Sequence, residues 1–448
     1  MSTFLSFSQP QAMRFRAGLA RMHSIAGIFV APLLIVATVS GFFYALAPSI
    51  EKIVYREQLT ASSTHQAQPL SAQIAAAQKV HPELSFAGIQ VSDNPRDTTR
   101  VLFHDPRLPS PSYTQAVFVD PGDLAIKGDL VQYGSSRALP IRTWLSQGHR
   151  NLWLGDLGRL YSETAASWLG MLSILGLFLW LSTKKQKKDH TRPLSQRKRL
   201  VTAHSRLGLW LLPIFLFLTI TGLTWSLVAG NNIALLRTQL NWVEPKPVVA
   251  LDEIPAGASC HEDHIVKNIE SSPAEYMRVD DMVRTARQEH LKGILDIRIG
   301  EPEQAWTIKE ARQPYKLANS TISVNPHTAQ LVDKVNYADI PLAAKLTNWL
   351  IQLHMGMLFG LINQLVLAVA ALGLLYMIFQ GYRMWWHRGK NKKPGRLPQP
   401  VGLKNIPTGL VIAWTVFLLC YCALAPLFAA SLLLFLLIDA AIRRIKRT

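Results

Sequence analysis

Four histidines stand at matching positions of a repeated sequence, and their type and spacing suit metal chemistry. His23 opens the pattern His-Ser-x-x-Gly, which continues to a proline, a threonine and a second glycine, and the same pattern opens at His204 without a gap. His149 closes the pattern Trp-Leu-x-Gln-x-His, which recurs and closes at His354. Two imidazoles that face each other at one level of a helix bundle are what the iron of a six-coordinate b-type haem requires. The four histidines could therefore hold two haems.

The elements that position these histidines are apolar segments long enough to span a membrane. The chain has 448 residues and is 49% hydrophobic, which suits a membrane protein better than a soluble protein of this size. A span needs about 20 apolar residues to cross about 30 Å of hydrocarbon. Such stretches lie at about 23–46, 161–182, 204–228, 351–380 and 406–442. The last has basic residues at both ends, so we expect it to cross twice, with a turn at 423–426.

The charge of the chain is distributed in a way that sets its orientation. The formal net charge is +18, and basic residues concentrate at 184–199, 383–404 and 443–447, each beside an apolar stretch. The positive-inside rule places such clusters in the cytoplasm. This distribution argues against nucleic acid as a partner. It predicts a multi-pass protein embedded in the inner membrane of a bacterial cell, with cytoplasmic N- and C-termini.

The expected organisation alternates membrane helices with polar segments. In order, the segments are a cytoplasmic N-terminus with a first membrane helix (1–48), a first periplasmic domain (49–140), an outer helix with a second membrane helix (141–183), a basic cytoplasmic loop (184–203), a third membrane helix (204–229), a second periplasmic domain (230–345), a fourth membrane helix (346–381), a second basic cytoplasmic loop (382–405) and a hairpin of two membrane helices (406–442).

The repeat predicts how the two copies are related. Each copy contributes two membrane helices, so both copies cross in the same direction and are related by a pseudo-twofold axis along the membrane normal. That axis pairs His23 with His204 near the cytoplasmic face and His149 with His354 near the outer face. The polar region of each copy carries a short amphipathic helical pattern followed by alternating segments, which predicts a small α+β domain. The expected fold is an α-helical transmembrane bundle, with four core helices in a parallel duplicated repeat plus a C-terminal hairpin, and two α+β extracytoplasmic domains.

Other interpretations of the histidines stay open at this point. A histidine at a membrane interface is commonly an anchor or lies at a helix end, and His149 could belong to a short helix at the outer surface. Metal transport is disfavoured because the spans lack the Asp, Glu and Cys residues that cation pathways use. His387 is interpreted as an interface residue and His190 as part of a charged loop. His261 and His264, near Cys260, could in principle form a metal site, but a solvated loop is the favoured interpretation.

The order of membrane helix, α+β domain and membrane helix, present twice, resembles the PepSY-associated transmembrane family over about residues 14–388. The turns at 119–123 and 324–328 resemble those of the PepSY domain, and the paired histidine motifs are the most specific marks. Members of that family include inner-membrane reductases that release iron from siderophores in the periplasm and carry two b-type haems on bundle histidines. The resemblance implies four axial ligands of haem iron, namely His23, His204, His149 and His354.

The resemblance further implies a dihaem b reductase that passes electrons across the membrane to a ferric siderophore or similar chelate and releases Fe(II) for iron uptake. Flavoprotein members carry an additional cytosolic reductase domain. No segment of this sequence resembles such a domain, so we expect a separate electron donor, either a quinol or a cytosolic reductase. The alternative is a non-enzymatic PepSY sensor or regulator that binds a periplasmic peptide or protein. A transporter, which the parallel repeat would suit, is a third interpretation.

Overall fold

The computed structural model describes residues 9–183, 195–251, 278–301, 303–388 and 408–445. The helices are α1 (Gln9–Val54), α2 (Arg56–Leu59), α3 (Leu70–Gln78), α4 (Pro140–Asn151), α5 (Gly155–Thr183), α6 (Gln196–Leu223), α7 (Val228–Gln239), α8 (Val279–Gln288), α9 (Leu342–His354), α10 (Gly360–Trp386), α11 (Thr408–Leu424) and α12 (Pro426–Ile445), with a short 3-10 helix at Tyr337–Asp339. The strands are β1 (Ser85–Val91), β2 (Thr99–His104), β3 (Tyr113–Val119), β4 (Ile126–Tyr133), β5 (Leu295–Arg298), β6 (Trp306–Glu310), β7 (Thr321–Val324) and β8 (Leu331–Val335).

The chain divides into two compact units, which are described separately. The helical unit comprises Met1–Ala45, Gln147–Leu240 and Leu365–Thr448. The sheet unit comprises Leu46–Ser146 and Asn241–Gln364.

Among the described residues, four helices are long and apolar enough to cross a membrane. They are α1 from Phe15 onward, α5, α6 and α10, which correspond to the first four predicted spans. The helices α11 and α12 are also apolar, with 17 and 20 residues. They are separated at Ala425, inside the turn predicted at 423–426. The chain is therefore a membrane protein with a helical bundle and a sheet domain.

The helical unit is held together by large side chains between α1, α5 and α12. Trp168 and Met171 of α5 are almost completely buried and share a core with Leu34 of α1 and Phe428 of α12. The indole N–H of Trp168 donates to the Ser431 hydroxyl at 2.9 Å, which satisfies its single polar group. The C-terminal pair of helices thus packs as part of this core.

The fourth predicted span, 351–380, is divided in the structure. Helix α9 ends at His354, and α10 begins at Gly360, whose φ is +54°. The first copy has the same break between α4 and α5, where Gly155 has a φ of +59°. Glycine adopts this left-handed backbone at little cost, whereas other residues are strained there. Each outer histidine therefore lies on a short helix that precedes a membrane helix.

The two predicted extracytoplasmic domains share one antiparallel sheet of eight strands. The strand order is β4-β3-β2-β1-β5-β6-β7-β8, so the two copies meet where β1 pairs with β5. In this pair Ile89 lies opposite Ile297, and Gln90 opposite Asp296. Gly88 has a φ of +153°, and a Cβ there would lie 2.3 Å from the carbonyl oxygen of Ile297. Glycine is therefore needed where the copies join.

One face of the sheet is covered by α3 and α8, one helix from each copy. Ile74 of α3 and Met282 of α8 are buried in a common core with Trp306 of β6. The carboxylate of Asp280 accepts hydrogen bonds from the backbone N–H of Leu70 at 3.0 and 3.1 Å, which caps the first turn of α3. The helices of the two copies are thus tied directly to each other.

The turn after β3 is organised by Asp120, which is fully buried. Its carboxylate accepts hydrogen bonds from the backbone amides of Ser62 at 2.6 Å, Ser63 at 3.0 Å and Gly122 at 3.1 Å. Burial alone would raise the pKa of this carboxyl, but the amide donors outweigh burial and hold the pKa below its usual range. Asn325 accepts from two backbone amides in the equivalent turn of the second copy. The side chains in these turns fix the ends of β3 and β7.

Candidate functional site

His23 of α1 and His204 of α6 lie close together in the helical unit. Their ring centres are 6.2 Å apart, and the ring planes are inclined at 83°. A bond between a metal ion and an imidazole nitrogen is about 2 Å long, and the ring centre lies about 1 Å behind that nitrogen. Two imidazoles on opposite sides of one metal ion therefore have centres about 6 Å apart. The observed separation suits a single iron between these two histidines.

Hydrogen bonding determines which nitrogen of His204 is available to a metal. Its Nδ1 lies 3.2 Å from the carbonyl oxygen of Met377. A carbonyl oxygen only accepts hydrogen bonds, so Nδ1 carries the proton and Nε2 keeps its lone pair. This is the common arrangement for a histidine that ligates a metal. Nδ1 of His23 is buried and has no hydrogen-bond partner among the described residues, which is unusual for a polar atom.

A cavity of about 820 Å³ surrounds the two imidazoles. This volume lies in the range of about 300–1,000 Å³ that small-molecule and cofactor sites occupy. Small residues leave room beside the histidines, because a Cβ on Gly27 would meet no atom within 4 Å and one on Gly176 would lie 3.5 Å from Cε1 of His23. The walls are mainly apolar, and they also carry three arginines, Arg16, Arg197 and Arg388.

These residues fit a b-type haem. Two neutral imidazole nitrogens are a suitable axial ligand set for its iron, and the apolar walls suit its flat macrocycle. The arginines suit its two propionate groups, because a guanidinium binds a carboxylate with paired hydrogen bonds.

His149 lies on the part of α4 that belongs to the helical unit, next to α1. Its Nδ1 is 3.2 Å from the hydroxyl of Ser40, and its ring stacks on Tyr44 with centres 5.7 Å apart. Gly41 allows this approach, since a Cβ there would lie only 3.0 Å from Cε1 of His149. Burial lowers the pKa of His149 to about 4, which keeps the imidazole neutral at physiological pH. A neutral imidazole is the form that binds iron.

His354 is the last residue of α9 and belongs to the sheet unit. It occupies the place in the second copy that His149 occupies in the first. Gln352, two residues before it, is fully buried, and neither the nitrogen nor the oxygen of its side-chain amide has a hydrogen-bond partner among the described residues. Leaving a buried amide unpaired costs about 1–3 kcal/mol, so this turn carries a polar group that a bound molecule could satisfy. The pairing of His149 with His354 stays a prediction.

The sequence analysis missed the arginines of the first cavity. Arg16 precedes His23 by seven residues, and Arg197 precedes His204 by the same distance, so each arginine lies two helical turns from its histidine on the same face. The repeat therefore contained the signal, but Arg197 was interpreted only as part of a basic cluster that indicates topology, and Arg16 was given no role. The role of Met377 could not have been found, because it contributes a backbone oxygen.

The other candidate residues lie apart from these sites. His387 follows the end of α10 and is exposed, which agrees with an interface residue. His190, Cys260, His261 and His264 lie outside the described residues, as do parts of both basic loops, 184–194 and 389–407. Within the described residues, no group of three or more His, Cys, Asp or Glu side chains could hold a metal ion.

Comparison with known proteins agrees with the repeated architecture. The family model of the PepSY-associated transmembrane region matches residues 20–388, a range that contains both copies and all four paired histidines. A search of curated proteins gave no match. Because the matched range covers most of the chain, this protein belongs to the PepSY-associated transmembrane family.

Proposed function

We propose that this protein is a dihaem b oxidoreductase of a bacterial inner membrane that reduces a ferric chelate, such as a ferric siderophore, on the periplasmic side. The observation that supports this proposal best is the 6.2 Å separation of the His23 and His204 ring centres in a cavity between membrane helices. Reduction would release iron because a chelator with hard oxygen donors binds Fe(II) less tightly than Fe(III).

In the cytoplasmic site, the chain supplies ligands, orientation and charge. His23 and His204 would provide one nitrogen each to the iron, and the Met377 carbonyl holds the His204 ring with Nε2 directed away from it. Gly27 leaves the space that a macrocycle needs. Bound haem would supply a one-electron carrier that cycles between Fe(III) and Fe(II).

By the family resemblance, His149 and His354 would each be a ligand of a second haem. His149 is held by Ser40 and Tyr44, so its ring is oriented by α1 before any cofactor binds. Two haems at opposite membrane faces would connect a cytoplasmic donor, a quinol or a separate cytosolic reductase, with a periplasmic acceptor.

The visible spectrum of the purified full-length protein tests this proposal. We expect a b-type spectrum that dithionite reduces, with two haems per chain. His204→Ala should lower the content to one haem per chain, because one of the two cytoplasmic ligands is lost. His387→Ala is the matched control, since His387 is also at the cytoplasmic end of a membrane helix but lies outside the cavity. A protein without such a spectrum would contradict the proposal.

Activity provides the second part of the test. In inverted and right-side-out vesicles, a reduced quinol should drive formation of Fe(II) from a ferric chelate placed on the periplasmic side only. The alternative, a sensor that binds a periplasmic peptide, predicts no co-purifying pigment and full function in both His23→Ala and His354→Ala variants.

A further inference from the structure

The sheet unit contains a second cavity, of about 570 Å³, which no haem ligand lines. It lies on the face of the sheet opposite α3 and α8, because Val101 of β2 faces those helices and successive strand residues alternate between faces. Arg100 of β2 therefore faces this cavity. We call the cavity the arginine pocket after the residues of its wall, Arg100, Arg137, Arg142 and Arg312.

Both copies of the repeat build the arginine pocket. Arg100 and Arg137 come from the first copy, and Arg312 from the second. The guanidinium of Arg137 donates to the backbone carbonyl oxygen of Arg312 at 3.3 Å, which joins the two contributions. Such a pocket exists only because the strands of both copies share one sheet.

Positive charge in the arginine pocket exceeds negative charge. Among the described residues, six basic side chains line the pocket, because Lys52 and Arg56 are present in addition to the four wall arginines. Only two described carboxylates line it, those of Glu51 and Asp97. Glu51 is committed to Arg142, with which it forms a buried ion pair at 2.9 Å. Asp97 is held by its own loop, where it accepts hydrogen bonds from Ser92 and Asn94. Each carboxylate therefore has a nearer partner, while both also attract Arg100 and Arg137, and Asp296 attracts Arg137.

Three wall arginines have no ion pair among the residues that the structure describes. Arg100 donates to the amide oxygen of Gln132 at 2.9 Å, and Arg137 to a backbone oxygen. Burial, together with repulsion from Arg137 and Arg142, lowers the pKa of Arg100 to about 9. Burial also lowers the pKa values of Arg137 and Arg312. Nearby carboxylates act in the opposite direction, Asp296 on Arg137 and Glu244 on Arg312, but burial is the larger cause for all three arginines. Desolvated like charges are unfavourable, and an anion between them would offset that cost.

We propose that the arginine pocket binds a polyanion with several clustered carboxylate or catecholate oxygens. Guanidinium groups match such oxygens with paired hydrogen bonds, and several of them converge from different elements. The volume accommodates a compact small molecule. That this polyanion is the ferric chelate of the reaction rests on the proposed function, whereas the anion site does not.

Gallium(III) citrate is a suitable probe because it is anionic, oxygen-rich and not reducible. Its binding to the full-length protein in nanodiscs of neutral lipid can be measured by calorimetry. We expect binding that weakens as salt rises, and a loss of about a hundredfold in affinity in the double variant Arg137→Gln, Arg312→Gln. Arg142 is not replaced, because without it Glu51 would be a buried carboxylate that lacks its ion-pair partner.

The control variant is Arg284→Gln, which removes an exposed arginine from α8 on the opposite face of the sheet. It should bind the probe as the wild type does. An unchanged thermal midpoint of the double variant shows that the loss of binding is not a loss of fold. Arg312→Lys, which keeps the charge but not the paired donors, should lose less affinity than Arg312→Gln.

Four results would overturn the proposal. They are unchanged gallium citrate binding in the double variant, equal binding of the neutral gallium tris(acetohydroxamate), inhibition by inorganic phosphate at equal concentration, and loss of probe binding in nanodiscs of anionic lipid. The last two would identify a free phosphate or a lipid headgroup as the occupant. If the double variant loses haem but still binds the probe, these arginines hold haem propionates, and this result too would overturn the proposal.

These results are independent of the haem test. If the protein binds the probe but has no b-type spectrum, the anion site is supported and the reductase proposal is contradicted. If it has a b-type spectrum but does not bind the probe, the reductase proposal is supported and the anion site is contradicted.

Discussion

At His149, the hydroxyl of Ser40 is one of the groups that hold the imidazole ring. The Ser40 hydroxyl lies 2.9 Å from the carbonyl oxygen of Val36 and 3.1 Å from that of Ala37, so its single proton is donated to the α1 backbone. Its oxygen then accepts from Nδ1–H of His149, at 3.2 Å, and the His149 ring also bonds the α1 backbone at Ala37. Ser40 is therefore a positioning residue for this histidine.

Replacement of Ser40 tests this role. In Ser40→Ala, His149 loses the hydroxyl and keeps its bond to the α1 backbone at Ala37, so the ring is held less firmly. Loss of such a supporting hydrogen bond typically costs about 10–100-fold in metal affinity. We expect the outer haem to bind about tenfold more weakly in a haem titration of the purified variant, with the cytoplasmic haem unaffected.

The control is Ser182→Ala, near the C-terminal end of α5, whose hydroxyl donates to its own helix, at the Leu179 carbonyl oxygen. Equal haem affinity in Ser40→Ala and Ser182→Ala would show that Ser40 has no part in holding His149.

At the residue scale, side chains that occur in both copies of the repeat could be predicted from the sequence. Groups that depend on contacts in the folded chain could not. The repeat identified His23 and His204 because the same pattern occurs twice without a gap. Nothing in the sequence indicates the Met377 contact, because any residue supplies a carbonyl oxygen. The arginine pocket was also missed, since Arg100 and Arg312 come from segments that are adjacent only in the folded sheet.

At the scale of elements, the helices were easier to predict than their interruptions. Runs of about 20 apolar residues indicate membrane helices whatever surrounds them. The apolar character of 351–380 continues through the break before Gly360, so hydropathy alone could not divide it. The backbone conformation of two equivalent glycines, Gly155 and Gly360, marks the break in both copies.

The pairing of β1 with β5 depends on Gly88. In Gly88→Ala, the new Cβ would lie 2.3 Å from the carbonyl oxygen of Ile297, and the backbone would be held at a φ of +153°. Clash and strain together should destabilise the protein by about 2–4 kcal/mol. We expect a clear fall in the thermal unfolding midpoint of the purified full-length variant.

A matched control separates clash from strain. Gly134→Ala also places alanine at a positive φ, +64°, but its Cβ would meet no atom within 4 Å. It should cost only about 1 kcal/mol, the strain of the left-handed backbone. Similar midpoints for the two variants would mean that the close approach at Gly88 is not important for stability.

At the scale of the whole molecule, the duplication was readable from the sequence, but its structural consequence was not. The matched patterns predicted two copies with the same orientation and a similar α+β region in each. The pairing of β1 with β5 could not be predicted, because strand pairing between segments about 200 residues apart leaves no local pattern. A single sheet is the reason that both copies can contribute to one arginine pocket.

The orientation of the chain in the membrane follows from its charge distribution. Basic clusters beside the apolar helices predict that residues near the start of α6 are cytoplasmic and that the sheet unit is periplasmic. In a variant whose three cysteines, Cys260, Cys420 and Cys422, are replaced by serine, a new cysteine reports its own side of the membrane.

Ser110→Cys, at the exposed loop between β2 and β3, should react with a membrane-impermeant maleimide in spheroplasts. Gln196→Cys, exposed at the start of α6, should react only after the membrane is opened. The reverse pattern would place the sheet in the cytoplasm, and a periplasmic chelate could then not reach the arginine pocket. Labelling at both positions in intact spheroplasts would mean that the basic cluster at 184–199 does not set the orientation.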